Sequence, residues 1–119
     1  MKQFFIVLLV LFLSCSAQAK LTEDTLSFGS FGKVHLYQTA DKPEHLVLFI
    51  SGDGGWKLGV VDMARELAQT GVLVAGIDII HYLMELGTLA GKCSYPAAHL
   101  ESLSQIGRAS CRERVSSPV

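Results

Sequence analysis

The run LVLFISGDGGW, Leu46 to Trp56, constrains this chain more than any other segment. Leu46 to Ile50 are apolar without a break, and a glycine-rich turn then ends the run abruptly. So short a run cannot span a membrane, and its unbroken apolarity predicts a strand buried on both faces, as in parallel sheets. The amphipathic pattern of Leu58 to Gln69 follows at once. Strand therefore passes to helix at the carboxyl edge of a sheet, where open α/β folds place their chemistry. Backbone N–H groups freed by such a turn, with the positive end of the next helix, suit an oxyanion or a phosphate.

The flanking segments predict a matching topology. Thr25 to Gln38, TLSFGSFGKVHLYQ, alternates around Gly29-Ser30-Phe31-Gly32 and reads as a hairpin. After the glycine turn, Leu58, Val61, Ala64, Leu67 and Ala68 recur at helical spacing, and Gly71 is placed to end the helix in the left-handed conformation. Val72 to Ile80 reads as a second buried strand, interrupted only by Gly76 and Asp78. Strand, helix, strand implies a right-handed crossover and a parallel pair. His81 to Gly91 reads as a short helix or an ordered excursion, and Pro96 opens a last helix through Leu100 and Leu103.

Both ends of the 119-residue chain read differently from its middle. Lys2, the apolar run Phe4 to Leu13 and Ala17-Gln18-Ala19 form the three-part pattern of a cleaved secretory signal over residues 1–19. A membrane anchor fits less well, because about ten apolar residues make roughly 15 Å of helix against a hydrocarbon core of about 30 Å. Acylation at Cys15 would need small residues where Phe12 and Leu13 stand. At the other end, Ile106 to Val115, IGRASCRERV, coincides with the translation of a common sequencing adapter, so residues 106–119 are expected to be a non-native tail. A solvated basic tail is the plainer alternative.

Without these ends, six basic and ten acidic residues remain, a net charge of −4. Such a segment has no basic stripe, which argues against nucleic acid as a partner. Cys93 is then the one remaining cysteine, either buried and inert or paired with a cysteine outside this sequence.

Three chemistries compete for the glycine turn. A dinucleotide site would use Gly52, Gly54 and Asp78, but Lys57 replaces the third glycine and Trp56 stands where helix and strand must pack closely. A P-loop is excluded because no G-K-[ST] follows the strand. An α/β-hydrolase places a comparable turn after an opening hairpin and a strand, and uses its backbone N–H in the oxyanion hole. That order fits.

SGDGGW, with GVVDMAREL, GVLVAGIDI and GKCSYPA, resembles the bacterial virulence-protein family VirJ/AcvB from about Leu46 to Gln105. The resemblance implies an α/β-hydrolase-like periplasmic protein. It implies further a serine hydrolase acting on esters of the aminoacyl-phosphatidylglycerol type, at the periplasmic face of the membrane, and a link to type IV secretion. Residues 20–105 would then form the N-terminal part of the domain: a hairpin plus the strand-helix-strand of a mainly parallel, truncated α/β-hydrolase-like sheet. Asp53 matches the donor of the oxyanion N–H, Gly52, Gly54 and Gly55 shape the turn, and Trp56 walls the pocket. The Asp53 side chain is expected to cap the following helix, with binding of a substrate amine as the alternative.

The catalytic set itself is missing. No G-x-S-x-G occurs, and Ser30, Ser51, Ser94 and Ser104 all lack the glycines of a nucleophile elbow. His35, His45, His81 and His99 show no metal-ligand spacing and read as surface or packing residues. Asp78 reads as a loop anchor. No cofactor or metal is expected, and the chain as written is expected to be inactive. Two functions remain: part of an exported hydrolase, or a non-catalytic periplasmic accessory protein of type IV secretion.

Overall fold

The computed structural model describes residues 19–89 and 93–116, with the side chains of Ser110 and residues 112–116 excepted. The signal-peptide reading of residues 1–19 therefore lies almost wholly outside the described residues, as do Gly91 and Lys92 of GKCSYPA.

Four strands form one sheet: β1 (Thr22–Ser27), β2 (Lys33–Gln38), β3 (Leu46–Ile50) and β4 (Leu73–Ile77), in the order β1-β2-β4-β3. β1 and β2 are the expected antiparallel hairpin, joined through a 3-10 turn at Gly29–Phe31. β3 and β4 pair in parallel, with Leu46 opposite Leu73 and Ile50 opposite Ile77. β2 joins β4 antiparallel. The described sheet is thus mixed rather than mainly parallel, because the hairpin docks directly on the crossover pair. It is an α/β fold.

Helix α1 (Val60–Ala68) joins β3 to β4 and is followed by Gly71 at φ +94°, the left-handed stop its position predicts. α1 covers the sheet face that carries Tyr37 and Val74, burying Ala64 and Ala68 there. The opposite face takes helices α2 (Ile79–Thr88) and α3 (Pro96–Ser116). Phe31, Val34, Ala75, Ile77, Tyr82 and Leu103 form its core. Each large apolar side chain fully buried in this way contributes on the order of 1.5–3 kcal/mol before chain entropy is counted. Tyr82 stacks on Phe31 at 4.6 Å, and its hydroxyl is 2.8 Å from His99 Nδ1, tying α2 to α3.

Boundaries differ from the sequence reading in three places. α1 starts at Val60, not Leu58, since Gly59 at φ +88° occupies its N-cap. The second strand stops at Ile77, because Asp78 turns the chain and caps α2, so Ile79 and Ile80 are helical. α3 does not end near Gln105: it runs on to Ser116 and seats Gly107 so closely on Leu46 that a Cβ there would overlap the leucine.

β3 presents the sharpest contrast. Its apolar run reads as a strand enclosed on both sides, yet among the described residues it has one strand neighbour and none of its five residues is buried, whereas all of β4 is.

Candidate functional site

Parallel pairing brings the carboxyl ends of β3 and β4 side by side, so the glycine turn and Asp78 meet at one edge. Ser51 continues the ladder by donating its N–H to Ile77 O at 2.9 Å, and its buried Oγ accepts from Ile79 N at 2.9 Å. Asp78 Oδ1 accepts from Ile80 N at 3.0 Å and His81 N at 3.4 Å, a side-chain cap for α2. Gly55, at φ +72°, lies against this carboxylate, with its Cβ position 3.4 Å from Oδ1. The loop-anchor reading of Asp78 therefore fits its surroundings.

Within the turn, Gly55 N–H closes onto Gly52 O at 3.0 Å. No acceptor among the described residues takes the N–H groups of Gly52, Asp53 or Gly54, and all three residues are exposed. Backbone donors held in this way are the chemical requirement for cradling a developing oxyanion.

Asp53 does not cap the helix. α1 begins seven residues further on behind Gly59 and has no side-chain cap hydrogen bond. The Asp53 carboxylate is exposed and has no hydrogen-bond or ion-pair partner among the described residues.

Trp56 occupies a different place from a pocket wall. It is 3% exposed and lies flat on the sheet in a slot created by Gly76. In register, Gly76 stands between Phe49 of β3 and His35 of β2, so the missing side chain leaves space one indole wide. The ring stacks on His35 with centroids 5.1 Å apart and planes 5° from parallel, and meets Phe49 edge-on at 6.0 Å. Its Nε1 donates to the Tyr37 hydroxyl at 3.2 Å. The turn is thereby fastened at both ends: Ser51 to β4 and α2, Trp56 to β2 and β4.

His35 is kept below its ordinary protonation range, first by burial against the indole and then by Lys33, while Asp78 pulls the other way. The other histidines serve structure or stay at the surface: His45 is exposed before β3, His81 lies over Gly32, and His99 meets Tyr82. Among the described residues no group of acidic, histidine or cysteine side chains could hold a metal ion. Cys93 is an exposed free thiol.

Sequence reasoning brought Gly52 to Trp56 and Asp78 to one edge, and the structure places them together. It missed Gly76, Tyr37 and His35 as the seat of Trp56. An isolated glycine inside an apolar strand was the available signal, since such a glycine marks close approach by another group.

These features define an α/β protein whose glycine turn, at the carboxyl edge of a parallel strand pair, offers free backbone donors. Residues 44–91, which span β3, the turn, α1, β4 and α2, match the family model of VirJ, a bacterial virulence protein, and the chain is VirJ-like over that span. No curated protein and no solved structure matches the chain.

Proposed function

We propose that this chain carries the oxyanion-loop half of an exported α/β-hydrolase. Its complete form hydrolyses an aminoacyl-phosphatidylglycerol-type ester at the periplasmic face of the membrane. The observation that carries this reading is the set of acceptor-free N–H groups at Gly52, Asp53 and Gly54, in a turn anchored at its ends by Ser51 and buried Trp56. Asp53 is the donor best supported by position. One such donor is typically worth about 3 kcal/mol of transition-state stabilisation.

A donor needs a nucleophile to act on. No G-x-S-x-G occurs in these 119 residues, so this reading requires a serine, an acid and a histidine from outside them, and the chain alone is expected to be inactive. The second reading is a periplasmic accessory protein of type IV secretion without catalysis. Resequencing the locus past the Gln105 codon tests both. A strand followed by G-x-S-x-G, then an Asp and a His, supports the hydrolase. A complete frame with that serine replaced supports the accessory protein, and IGRASCRERV confirmed in the genome defeats the non-native-tail reading. Esterase activity in the purified chain would contradict its inactivity.

A further inference from the structure

We propose that a polar recess on β1 and β2, separate from the glycine turn, binds a small neutral molecule carrying several hydroxyl groups. The recess has a volume of about 230 Å3 and is lined by Glu23, Asp24, Thr25, His35 and Tyr37. In the hairpin register Glu23 faces Tyr37 and Thr25 faces His35, so these four residues share one face of the sheet. Arg65 of α1 reaches Glu23 at 2.6 Å and secures that wall. At roughly 30 Å3 for each water, the space holds about seven. β4 separates these two strands from β3.

The chemistry of the recess comes from hydrogen-bonding capacity that the fold leaves unspent. Tyr37 is 4% exposed, and its hydroxyl accepts from Trp56 Nε1 at 3.2 Å. The proton of that hydroxyl has no acceptor among the described residues, and a buried donor left unmatched is costly. Neither ring nitrogen of His35 is hydrogen-bonded among them either, since its contact is the stack on Trp56. With protonation opposed by burial, the His35 ring offers one donor and one acceptor. The Thr25 hydroxyl is also unengaged among the described residues, and it can both give and take. Donors and acceptors therefore stand side by side, and a ligand hydroxyl matches both. An anion would meet the carboxylates of Glu23 and Asp24. An ammonium ion would satisfy Glu23 but leave the Tyr37 proton unmatched. No group of acidic, histidine or cysteine side chains among the described residues could hold a metal ion. The site makes no use of the oxyanion donors, so it stands or falls independently of the hydrolase reading.

Proton–nitrogen NMR on the full chain, titrated with glycerol and with glucose, tests the site. The expected result is a saturable shift of the Thr25, His35 and Tyr37 amides and of the Trp56 indole N–H, with a Kd on the order of millimolar for an open recess. Thr25→Val keeps the shape of an exposed strand residue and deletes its hydroxyl. It should weaken binding about threefold to tenfold, the loss of one hydrogen bond. Tyr37→Phe should weaken it by a similar factor, and Thr25→Val carries the test if Tyr37→Phe fails to fold. Choline chloride and sodium phosphate, the cationic and anionic probes, should leave these signals in place. No saturable shift with either polyol overturns the proposal. So do shifts confined to other residues, an affinity unchanged by Thr25→Val, or tighter binding of choline or phosphate at the same signals.

Discussion

Trp56 lies directly on Gly76, so closely that a methyl group at position 76 would occupy the space of the indole ring. The glycine turn is therefore held by a contact whose second half sits on a different strand, twenty residues later in the chain.

Gly76→Ala should destabilise the protein by about 1–3 kcal/mol, the usual range for overpacking a filled core. Urea unfolding followed by circular dichroism measures it. Pairing Gly76→Ala with Trp56→Phe should recover part of the loss, since the smaller ring vacates some of the slot. Strictly additive losses would mean that the two residues do not share that space.

Tyr37→Phe leaves the buried Trp56 N–H without its acceptor and should cost about 1–3 kcal/mol. Trp56→Phe removes the donor as well, so adding Tyr37→Phe to it should cost much less. The difference is read from a double-mutant cycle in urea.

Asp53 and Asp78, both beside the turn, should respond oppositely to alanine. Asp78→Ala removes the cap of α2 and should cost about 1 kcal/mol. Asp53→Ala should stay within about 0.5 kcal/mol, because that exposed carboxylate holds nothing in the described structure. Equal losses in thermal unfolding would contradict this division.

His35 resists protonation in the folded state, chiefly through burial. A histidine whose folded value lies below its unfolded value of 6.5 stabilises the fold above that pH, and the contribution is lost as pH falls from there toward the lowered folded value. The urea midpoint should therefore drop between about pH 7.5 and about pH 5.5, and His35→Gln should show a shallower drop. An unchanged slope in the variant would place the acid sensitivity elsewhere.

The order of elements and the edge on which the turn sits were legible in the sequence because both follow from local pattern. The apolar block Leu46–Ile50, the spacing of Val61, Ala64 and Ala68, and Gly71 each act within a few residues of themselves. What escaped depends on register. Asp53 does not reach a helix N-terminus because α1 opens only at Val60, behind Gly59, two residues later than the apolar pattern starting at Leu58 suggests. Likewise, Trp56 looks like a pocket wall until the alignment of His35, Gly76 and Phe49 across three strands opens a slot beneath it. That alignment is non-local, and single-strand periodicity carries no trace of it.

Trp56 is also the only tryptophan in the chain. Its emission therefore comes from the base of the loop with the free N–H groups, and from nowhere else in the molecule. An anion settling on the turn or a proton arriving on the stacked His35 ring would each change the light this one indole gives out. The molecule has a built-in optical probe at the edge where its chemistry is expected, and a ligand screen on it needs no label.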